Sequence, residues 1–541
     1  MRRAVLAVAL LSNACTGVVD DRFPEPEATA PQVVAPVDCT AERPVGTRML
    51  RRLSRLEVEA TLREVFQAPD LAFDLPYDPV NEVGLQTDES LLVVGPQFAG
   101  GLHRVAMELG LHASSSPLID RGAPCYAMGG EDCARGWLSS FGRRLYRRPL
   151  SADETERYLA LYRAIEASGE PFPTFVRWAT VALVDSPHLV YRSELGLRGD
   201  GEPLAGRFQL TPYELATALA YTYTGKPPTD LFLDRVSAGA LDDRASVADV
   251  ARSLAFEPDG QPSAGFRAVL FQFLDQWLRS DAIDSVGKDD PIFTPVLRQA
   301  LRRETELYLE DVMFMERGSL RDLLTSRRTY LNQTLVDFYG YSAPRSAEFV
   351  PVDRPPGTGV GLLAQGSFLA IRGTRAESSP TRRGLFVRRA LLCEPIPPAP
   401  GGVDIFPETT AATTRGRHAV LLDEPYCRSC HVLMEPIGFG LEAYDALGRY
   451  REVDGGEPVN ASGTIVGLEA EPSFSNAEEL AAVLSELPEA RACFEATIGA
   501  FGFGIDTERS GCLALVAEDR SVVDQFIGLT ETDHFYERVA E

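Results

Sequence analysis

Apolar residues recur with the period of an α-helix over most of this chain. The clearest start is Ser54-Arg55-Leu56-Glu57, a capping box in which the serine and glutamate side chains bond each other's backbone N–H groups. Leu62, Val65 and Phe66 follow at helical spacing. Together with Leu56 they predict an amphipathic first helix with these four residues on its apolar positions.

Further helices follow from the same pattern. Ser151 to Glu154 forms another cap, and Thr211-Pro212-Tyr213-Glu214 combines an N-cap, a proline at the first helical position and a glutamate, with Gly225 ending that helix. Trp277 is expected in the core. The pattern predicts other helices over 96–113, 171–195, 245–280, 295–325 and 385–392, with extended or turn-rich links near 70–90, 340–360 and 453–475.

These elements predict a mainly α, multi-domain helical protein with a disordered N-terminal tether. The 541 residues suffice for three or four domains of roughly 150 residues each. We predict helical domains at 48–115, 116–195, 196–340 and 461–541, and a further domain at 341–460.

The first 47 residues predict export. Residues 1–15 combine a basic pair, a short apolar run and Ala14-Cys15, which has the form of a signal peptide that ends in a lipobox. Cys15 is the predicted lipidation site, and simple cleavage near Ala14 is the alternative. Residues 16–47 are proline-rich and predict a disordered tether. We therefore expect a periplasmic protein or an outer-membrane or cell-surface lipoprotein.

The composition of the chain argues against two classes of binding partner. The net charge of −25 argues against nucleic acid and against a surface held to anionic lipid by basic residues. No later segment approaches about 18 uninterrupted apolar residues. Contact with a membrane is therefore expected only through the N-terminal lipid anchor.

The strongest chemical signal is Cys427-Arg428-Ser429-Cys430-His431, the attachment motif of a c-type haem. Two thiols on one turn add to the two haem vinyl groups, and the adjacent imidazole becomes an axial ligand of the iron. The alternatives are a disulfide, a redox CxxC or half of a zinc site. No thioredoxin-like βαβ pattern surrounds the motif, and it lacks two further clustered zinc ligands. We predict one covalent haem c with His431 as the proximal ligand. The domain predicted at 341–460 is therefore expected to be a c-type haem-like segment near the C-terminus.

Residues around the motif are candidates for the other contacts of the haem. His418 and Met434 are the candidates for the sixth ligand, with a hydrogen-bonding or solvent-facing role for His418 and core packing for Met434 as alternatives. Gly438 and Gly440 are expected to let the backbone approach the ring. The predicted apolar wall is Pro436, Ile437, Phe439, Leu441 and Tyr444, and Arg449 and Arg451 are available for the propionates or for surface salt bridges.

The other cysteines are consistent with export. Removing Cys15 and the two haem cysteines from the nine leaves six, an even number that allows up to three disulfides. The shortest separations suggest the pairs Cys125–Cys133 and Cys493–Cys512, which leaves Cys39–Cys393 as the third.

Several stretches carry a family resemblance. They are Leu53-Ser54-Arg55-Leu56-Glu57, Phe141 to Pro149, Ser186-Pro187-His188-Leu189-Val190-Tyr191-Arg192, Ser379-Pro380, Arg383-Gly384, Leu391-Leu392-Cys393, and the block from Cys430 to Glu442 with Tyr444-Asp445 and Gly448-Arg449. Together they resemble the large secreted bacterial proteins built from planctomycete cytochrome-associated domains of unknown function. The resemblance spans about residues 48–535. It implies an exported, cytochrome-like protein with no assigned reaction.

Two functional hypotheses follow. The first is a cell-envelope c-type haem protein that transfers electrons to an unknown redox partner, or serves as the redox half of an oxidoreductase acting on an extracellular substrate. The second is a cell-surface lipoprotein with a binding or assembly role, in which the cysteine motif is structural, as a disulfide or a metal site. Whether the protein is an enzyme stays open at this point.

Overall fold

Helices make up most of the part of the chain that the computed structural model describes, namely residues 45–115, 119, 124–197, 206–315, 317–397, 409–506, 510 and 520–539. The predicted mainly α class is confirmed. The amino-terminal third contains β1 (Gly46–Thr47), β2 (Met49–Arg52), α1 (Arg55–Phe66), α2 (Pro96–Ala113), α3 (Glu131–Tyr146), α4 (Ala152–Ala167), α5 (Phe172–Val184), α6 (Pro187–Val190) and β3 (Tyr191–Glu194).

The central third is also mainly helical. It contains β4 (Arg207–Gln209), α7 (Pro212–Thr224), α8 (Asp230–Ser237), α9 (Arg244–Ala255), α10 (Ala264–Leu278), α11 (Pro295–Glu310), α12 (Leu320–Thr325), β5 (Arg328–Leu331), α13 (Gln333–Tyr339) and β6 (Val350–Asp353). A 3₁₀ turn at Ser280–Asp284 follows α10, and a π-helical turn at Asp311–Met315 follows α11.

The last third carries the predicted haem segment. It contains α14 (Gly366–Ile371), α15 (Pro380–Phe386), α16 (Thr414–Asp423), α17 (Pro425–Gly438), β7 (Val453–Asp454), β8 (Glu457–Pro458), β9 (Gly463–Thr464), β10 (Ser473–Phe474), α18 (Ala477–Glu486), α19 (Pro488–Phe503), α20 (Val522–Gly528) and β11 (Glu537–Val539). A π-helical turn, Val387–Leu391, continues α15. Short 3₁₀ turns lie at Leu362–Ala364, Phe439–Leu441, Leu529–Glu531 and Asp533–Phe535.

The predicted helix starts are confirmed at the level of hydrogen bonds. Reciprocal capping boxes join Ser54 to Glu57 on α1, Ser151 to Glu154 on α4, and Thr211 to Glu214 on α7. Gly225 ends α7 in the left-handed conformation, as its position predicted. These signals are local, since donor and acceptor lie within three residues of each other.

One predicted helix is shorter than expected. The apolar run 171–195 forms α5 and the single turn α6, but residues 191–194 are strand β3. Pro187 starts a new turn after α5, and β3 then pairs antiparallel with β2, so that Arg51 lies directly opposite Arg192. A partner strand far away in the sequence therefore overrides the apolar pattern here.

The strands are few and short, and some join distant parts of the chain. In the one three-stranded sheet among the described residues, β11 lies between β1, to which it is parallel, and β4, to which it is antiparallel. Gly46 and Phe208 are both register partners of Arg538. The first and last described strands are thus paired in one sheet.

The hydrophobic side chains form two large cores and one small one. One large core takes residues from Leu53 to Val190 together with Tyr221, and includes Trp137. The other extends from Val83 to Tyr536 and contains Trp277, which is buried as predicted. Segments predicted as separate domains from 196 onwards thus share one continuous core. Among the described residues, no helix is both long enough and apolar enough to span a bilayer.

The disulfides confirm one predicted pair and correct the others. Cys125–Cys133 forms as predicted, but Cys393 bonds to Cys493. The predicted pairs Cys39–Cys393 and Cys493–Cys512 are therefore wrong. Proximity along the chain was the wrong criterion, because Cys393 and Cys493 are 100 residues apart and meet only after folding. Cys15, Cys39, Cys512 and nearly all of the predicted tether lie outside the described residues.

Candidate functional site

The cysteine motif lies at the start of helix α17, which Pro425 opens at its first turn. Cys427 and Cys430 are free thiols and both are partly exposed. At a spacing of three residues on a helix, their side chains lie on roughly the same side. Burial and the Glu424 carboxylate raise the pKa of Cys427, so this thiol is protonated near neutral pH.

His431 is held from one side by a carboxylate. Its Nδ1 lies 2.8 Å from Oε1 of Glu435, one turn further along α17. His418 on α16 directs its own Nδ1 at the same oxygen, at 3.3 Å. Thr381 on α15 donates a hydrogen bond from its hydroxyl to that oxygen and lies 3.2 Å from His418 Nδ1. One buried oxygen therefore joins three helices.

The electrostatics of Glu435 follow from these donors. Its side chain is fully buried, which by itself raises the pKa of a carboxyl group. The hydrogen bonds from His418 and His431 outweigh that effect and hold the pKa of Glu435 below its ordinary value. Glu435 is therefore anionic at neutral pH. Its second oxygen, Oε2, is buried without a hydrogen-bond partner in the described part of the chain.

His418 was a candidate for the sixth ligand, with a hydrogen-bonding role as the alternative. In this structure its side chain is buried, and its Nδ1 contacts the same Glu435 oxygen as Nδ1 of His431, which is a hydrogen-bonding role. Met434 is 5% exposed and lies on the buried side of α17.

Helix α17 is fixed against α15 by close backbone contact. A Cβ atom on Gly384 would lie 1.9 Å from the Met434 carbonyl oxygen, and one on Gly438 would lie 2.0 Å from that of Pro380. Neither position has room for a side chain. Gly438 was predicted to let the backbone approach the haem ring; it lets the backbone approach another helix. The prediction for Gly440 fails in the same way, since that residue packs on Phe474.

The residues predicted to form the apolar wall of the haem pocket pack inside the protein. Ile437, Leu441 and Tyr444 are at most 1% exposed and belong to the larger core. Phe439 lies under the Arg415 guanidinium, 4.2 Å from ring centroid to Cζ. These residues stabilise the fold around α17, and Pro436 is half-buried in the same helix.

The two arginines considered for the propionates are engaged within the protein. Arg449 pairs with Asp445 at 2.7 Å and with Asp290 at 3.1 Å. Arg451 pairs with Glu442 at 3.0 Å and with Asp454 at 2.7 Å. Both take the salt-bridge role that the sequence left as the alternative.

The sequence reasoning missed Glu435 and Thr381. The spacing of His431 and Glu435, four residues apart on a predicted helix, was a readable signal for their contact. Thr381 lies 50 residues before His431, and no local pattern indicates that it reaches the same carboxylate.

The attachment residues fit a c-type haem. Both thiols are free, and the bond from Nδ1 to Glu435 leaves Nε2 of His431 as the nitrogen that can bind iron. The motif is not a disulfide here, and the described residues contain no group of three or more His, Cys, Asp or Glu that could hold a metal ion. The residues predicted to enclose the ring do not fit that role, because they lie in the core.

The fold and site thus define a mainly helical, disulfide-bonded protein with a CxxCH motif on a supported helix. Family models match three parts of it: PSD5, protein of unknown function (DUF1595), over residues 133–194; PSD4 (DUF1592) over 210–341; and PSCyt3 (DUF1588) over 359–454. The chain belongs to the planctomycete cytochrome-associated families of unknown function, as its motifs predicted. No curated protein and no solved structure matches it.

Proposed function

We propose that the protein is an exported c-type haem protein of the cell envelope that transfers electrons. The observation that carries the proposal is the pair of free thiols beside His431, whose Nδ1 is bonded to the buried Glu435 carboxylate. A ligating histidine in proteins commonly donates its second ring N–H to a carboxylate or carbonyl, which fixes its orientation. This chain supplies that partner within the same helix.

Each residue has a definable task in this proposal. The thiols of Cys427 and Cys430 form thioether bonds to the porphyrin, and the bound haem supplies one-electron redox chemistry. Glu435 accepts the Nδ1 proton of His431 in a hydrogen bond and selects the tautomer with a free lone pair on Nε2. His418 and Thr381 hold the carboxylate in place through their own bonds to Oε1.

Export is part of the proposal. Cys125–Cys133 and Cys393–Cys493 are disulfides of the kind that persist in oxidising compartments. The lipobox-like Ala14-Cys15 supports attachment to a membrane through lipid alone. Covalent haem attachment also takes place outside the cytoplasm, so all three features agree. We propose only the class of the redox partner, which is an electron carrier of the cell envelope.

The decisive experiment is a pyridine haemochrome spectrum of the full chain made with a cytochrome c maturation system. We expect one covalent haem per chain, retained after denaturation. The Cys427→Ser/Cys430→Ser variant is expected to lose all of it, whereas Cys125→Ser/Cys133→Ser is the control that removes a cysteine pair elsewhere and keeps the haem. A wild-type chain without covalent haem refutes the proposal and leaves the surface lipoprotein, with a structural cysteine motif, as the function to pursue.

Glu435→Gln is expected to raise the midpoint potential of the haem. The carboxylate stabilises the more positive ferric state, so its removal favours reduction; a tenfold change in relative stability corresponds to about 60 mV for one electron. The control is Glu424→Gln, which makes the same charge change at the N-cap of α17 without touching His431. Spectroelectrochemical titration of both variants measures the effect. Equal shifts in the two variants would mean that Glu435 acts only through its charge and not on the ligand.

A further inference from the structure

A cleft far from the cysteine motif along the chain separates α1 from α10. Three adjoining cavities of about 230, 470 and 100 Å³ form it, and Leu56 and Gln272 line all three. Leu56 was predicted on the apolar positions of α1 but is 42% exposed, because it faces this cleft. The cavity of about 230 Å³ is the one that the buried Arg51 and Arg192 line.

Two of these arginines form an unusual pair. Arg51 on β2 and Arg192 on β3 are directly opposite each other in the two-stranded ribbon, and both are at most 4% exposed. Like charges opposite each other destabilise a β-ribbon. Arg192 is compensated by Glu194, whose carboxylate lies 2.6 Å from the Arg192 Nη2 atom and is shared with Arg538.

Arg51 forms no ion pair of this kind in the part of the chain that the structure describes, and Glu57, Glu194 and Glu89 act on its charge only from a greater distance. Its Nη1 donates to the Phe503 carbonyl at 2.5 Å, and no carboxylate of the described residues lies within ion-pair distance. Its Nε and the hydroxyl of Thr87, which also lines the cavity, are both buried without a hydrogen-bond partner in the described structure. Burial and the charge of Arg192 lower the pKa of Arg51 to about 10, so the guanidinium is still charged at neutral pH.

Three cations, Arg51, Arg192 and Lys226, and one carboxylate, Glu57, line the cavity. Lys226 pairs with Glu64 at 3.0 Å and Arg192 with Glu194, so Arg51 is the lining cation without an ion pair among the described residues. One oxygen of Glu57 already accepts the Ser54 backbone N–H at 2.7 Å. Buried charge without a partner is costly, so a site of this kind is stabilised by an anion that enters it.

Part of the remaining wall is apolar, and this part indicates the class of anion. Leu56, Ala60, Ala268, Val269 and Phe501 line the same cavity. We propose that the cleft binds a small organic carboxylate, with its anionic group at Arg51 and Arg192 and its apolar body against these side chains. Arginine suits a carboxylate because its planar fork donates two parallel hydrogen bonds. This site is independent of the haem proposal.

Isothermal titration calorimetry of the full chain tests the proposal, with benzoate as the probe and benzamide as its neutral counterpart. We expect benzoate to bind at least about tenfold more tightly than benzamide, because charge-assisted hydrogen bonds are the stronger ones. Equal affinities, or no benzoate binding up to about 10 mM, overturn the proposal. Inorganic phosphate is the third probe. Tighter binding of phosphate than of benzoate in the same titrations overturns the carboxylate assignment.

A variant that fills the cleft tests whether benzoate binds there. Ala268 is exposed on α10 and lines two of the three cavities, so Ala268→Trp occupies the cleft without entering the core. We expect benzoate affinity to fall by at least about tenfold. Ala482→Trp on α18, also at an exposed helical alanine, is the control and leaves affinity unchanged. Unchanged affinity in Ala268→Trp shows that benzoate binds elsewhere and refutes the assignment.

Discussion

Replacing Arg383 with methionine is expected to lower the free energy of unfolding by about 3–5 kcal/mol. Arg383 on α15 is fully buried, yet it makes no close ion pair: the Glu442 carboxylate lies 3.7 Å away. Its Nη1 donates to the carbonyls of Leu441 and Tyr444 at 2.6 and 3.0 Å, and its Nη2 to that of Asp445 at 2.8 Å. Methionine fills the space but removes the Arg383 donor from all three carbonyls. The Leu441 and Asp445 carbonyls then keep only the backbone N–H groups of Tyr444 and Gly448, at 3.2 and 3.3 Å.

The loss is large because the bonds to Leu441 and Tyr444 are buried and the bond to Asp445 is partly buried. A buried acceptor left unsatisfied costs about 1–3 kcal/mol. Burial lowers the pKa of Arg383 to about 10, so the side chain remains a charged, strong donor at neutral pH. The three bonds tie the turn after α17 to α15, and they therefore hold the helix that carries His431.

Urea denaturation followed by far-UV circular dichroism measures the effect. The matched control is Arg382→Met at the neighbouring position, which is exposed and whose guanidinium donates a hydrogen bond of 3.0 Å to the Gly373 carbonyl. We expect its loss to stay within about 1 kcal/mol. Similar losses in the two variants would show that the carbonyl contacts of Arg383 do not stabilise the fold.

Removal of the Cys393–Cys493 disulfide is the second change with a large expected effect. Cys393 follows the π-helical turn after α15, and Cys493 lies in α19, so the bond closes a loop of 100 residues. In the chain-entropy model a bond across such a loop stabilises the folded state by about 4.7 kcal/mol. The loop contains α16 and α17, so the reduced chain is expected to lose order around the cysteine motif as well.

The chain provides its own control for this prediction. Cys125–Cys133 spans only eight residues, and the same model gives it no more than about 3 kcal/mol. We expect the Cys393→Ala/Cys493→Ala variant to lose more stability to urea than Cys125→Ala/Cys133→Ala, with the other disulfide kept intact in each. The reverse order would contradict the entropic explanation and would assign the stability to local packing.

The site shows how far sequence reasoning reaches. The motif Cys427–His431 was recognisable because its chemistry requires a fixed spacing on one turn, and that turn is helical in α17. The contact of His431 with Glu435 was predictable for the same reason, since four residues on a helix bring two side chains together. The contacts of His418 and Thr381 with that carboxylate were not, because they depend on how α15 and α16 pack on α17.

The failed expectations have a common cause. Ile437, Leu441 and Tyr444 were assigned to a haem wall because they are apolar and follow the motif, but apolar residues suit a core as well as a pocket. Gly438 indicated a close backbone approach, and one exists, but its partner is Pro380. The sequence indicates that these residues pack against another surface. It does not indicate whether that surface belongs to a cofactor or to another helix.

The sequence by itself determined the mainly helical class, the capped helix starts, the family and the cysteine motif. Each rests on interactions within a few residues or on a fixed spacing, which neighbouring residues decide on their own. Only the tertiary structure decided that Cys393 pairs with Cys493, that Arg51 faces Arg192, and that one Glu435 oxygen joins three helices. These contacts unite residues far apart in the chain, and their identity follows from burial and packing of whole elements.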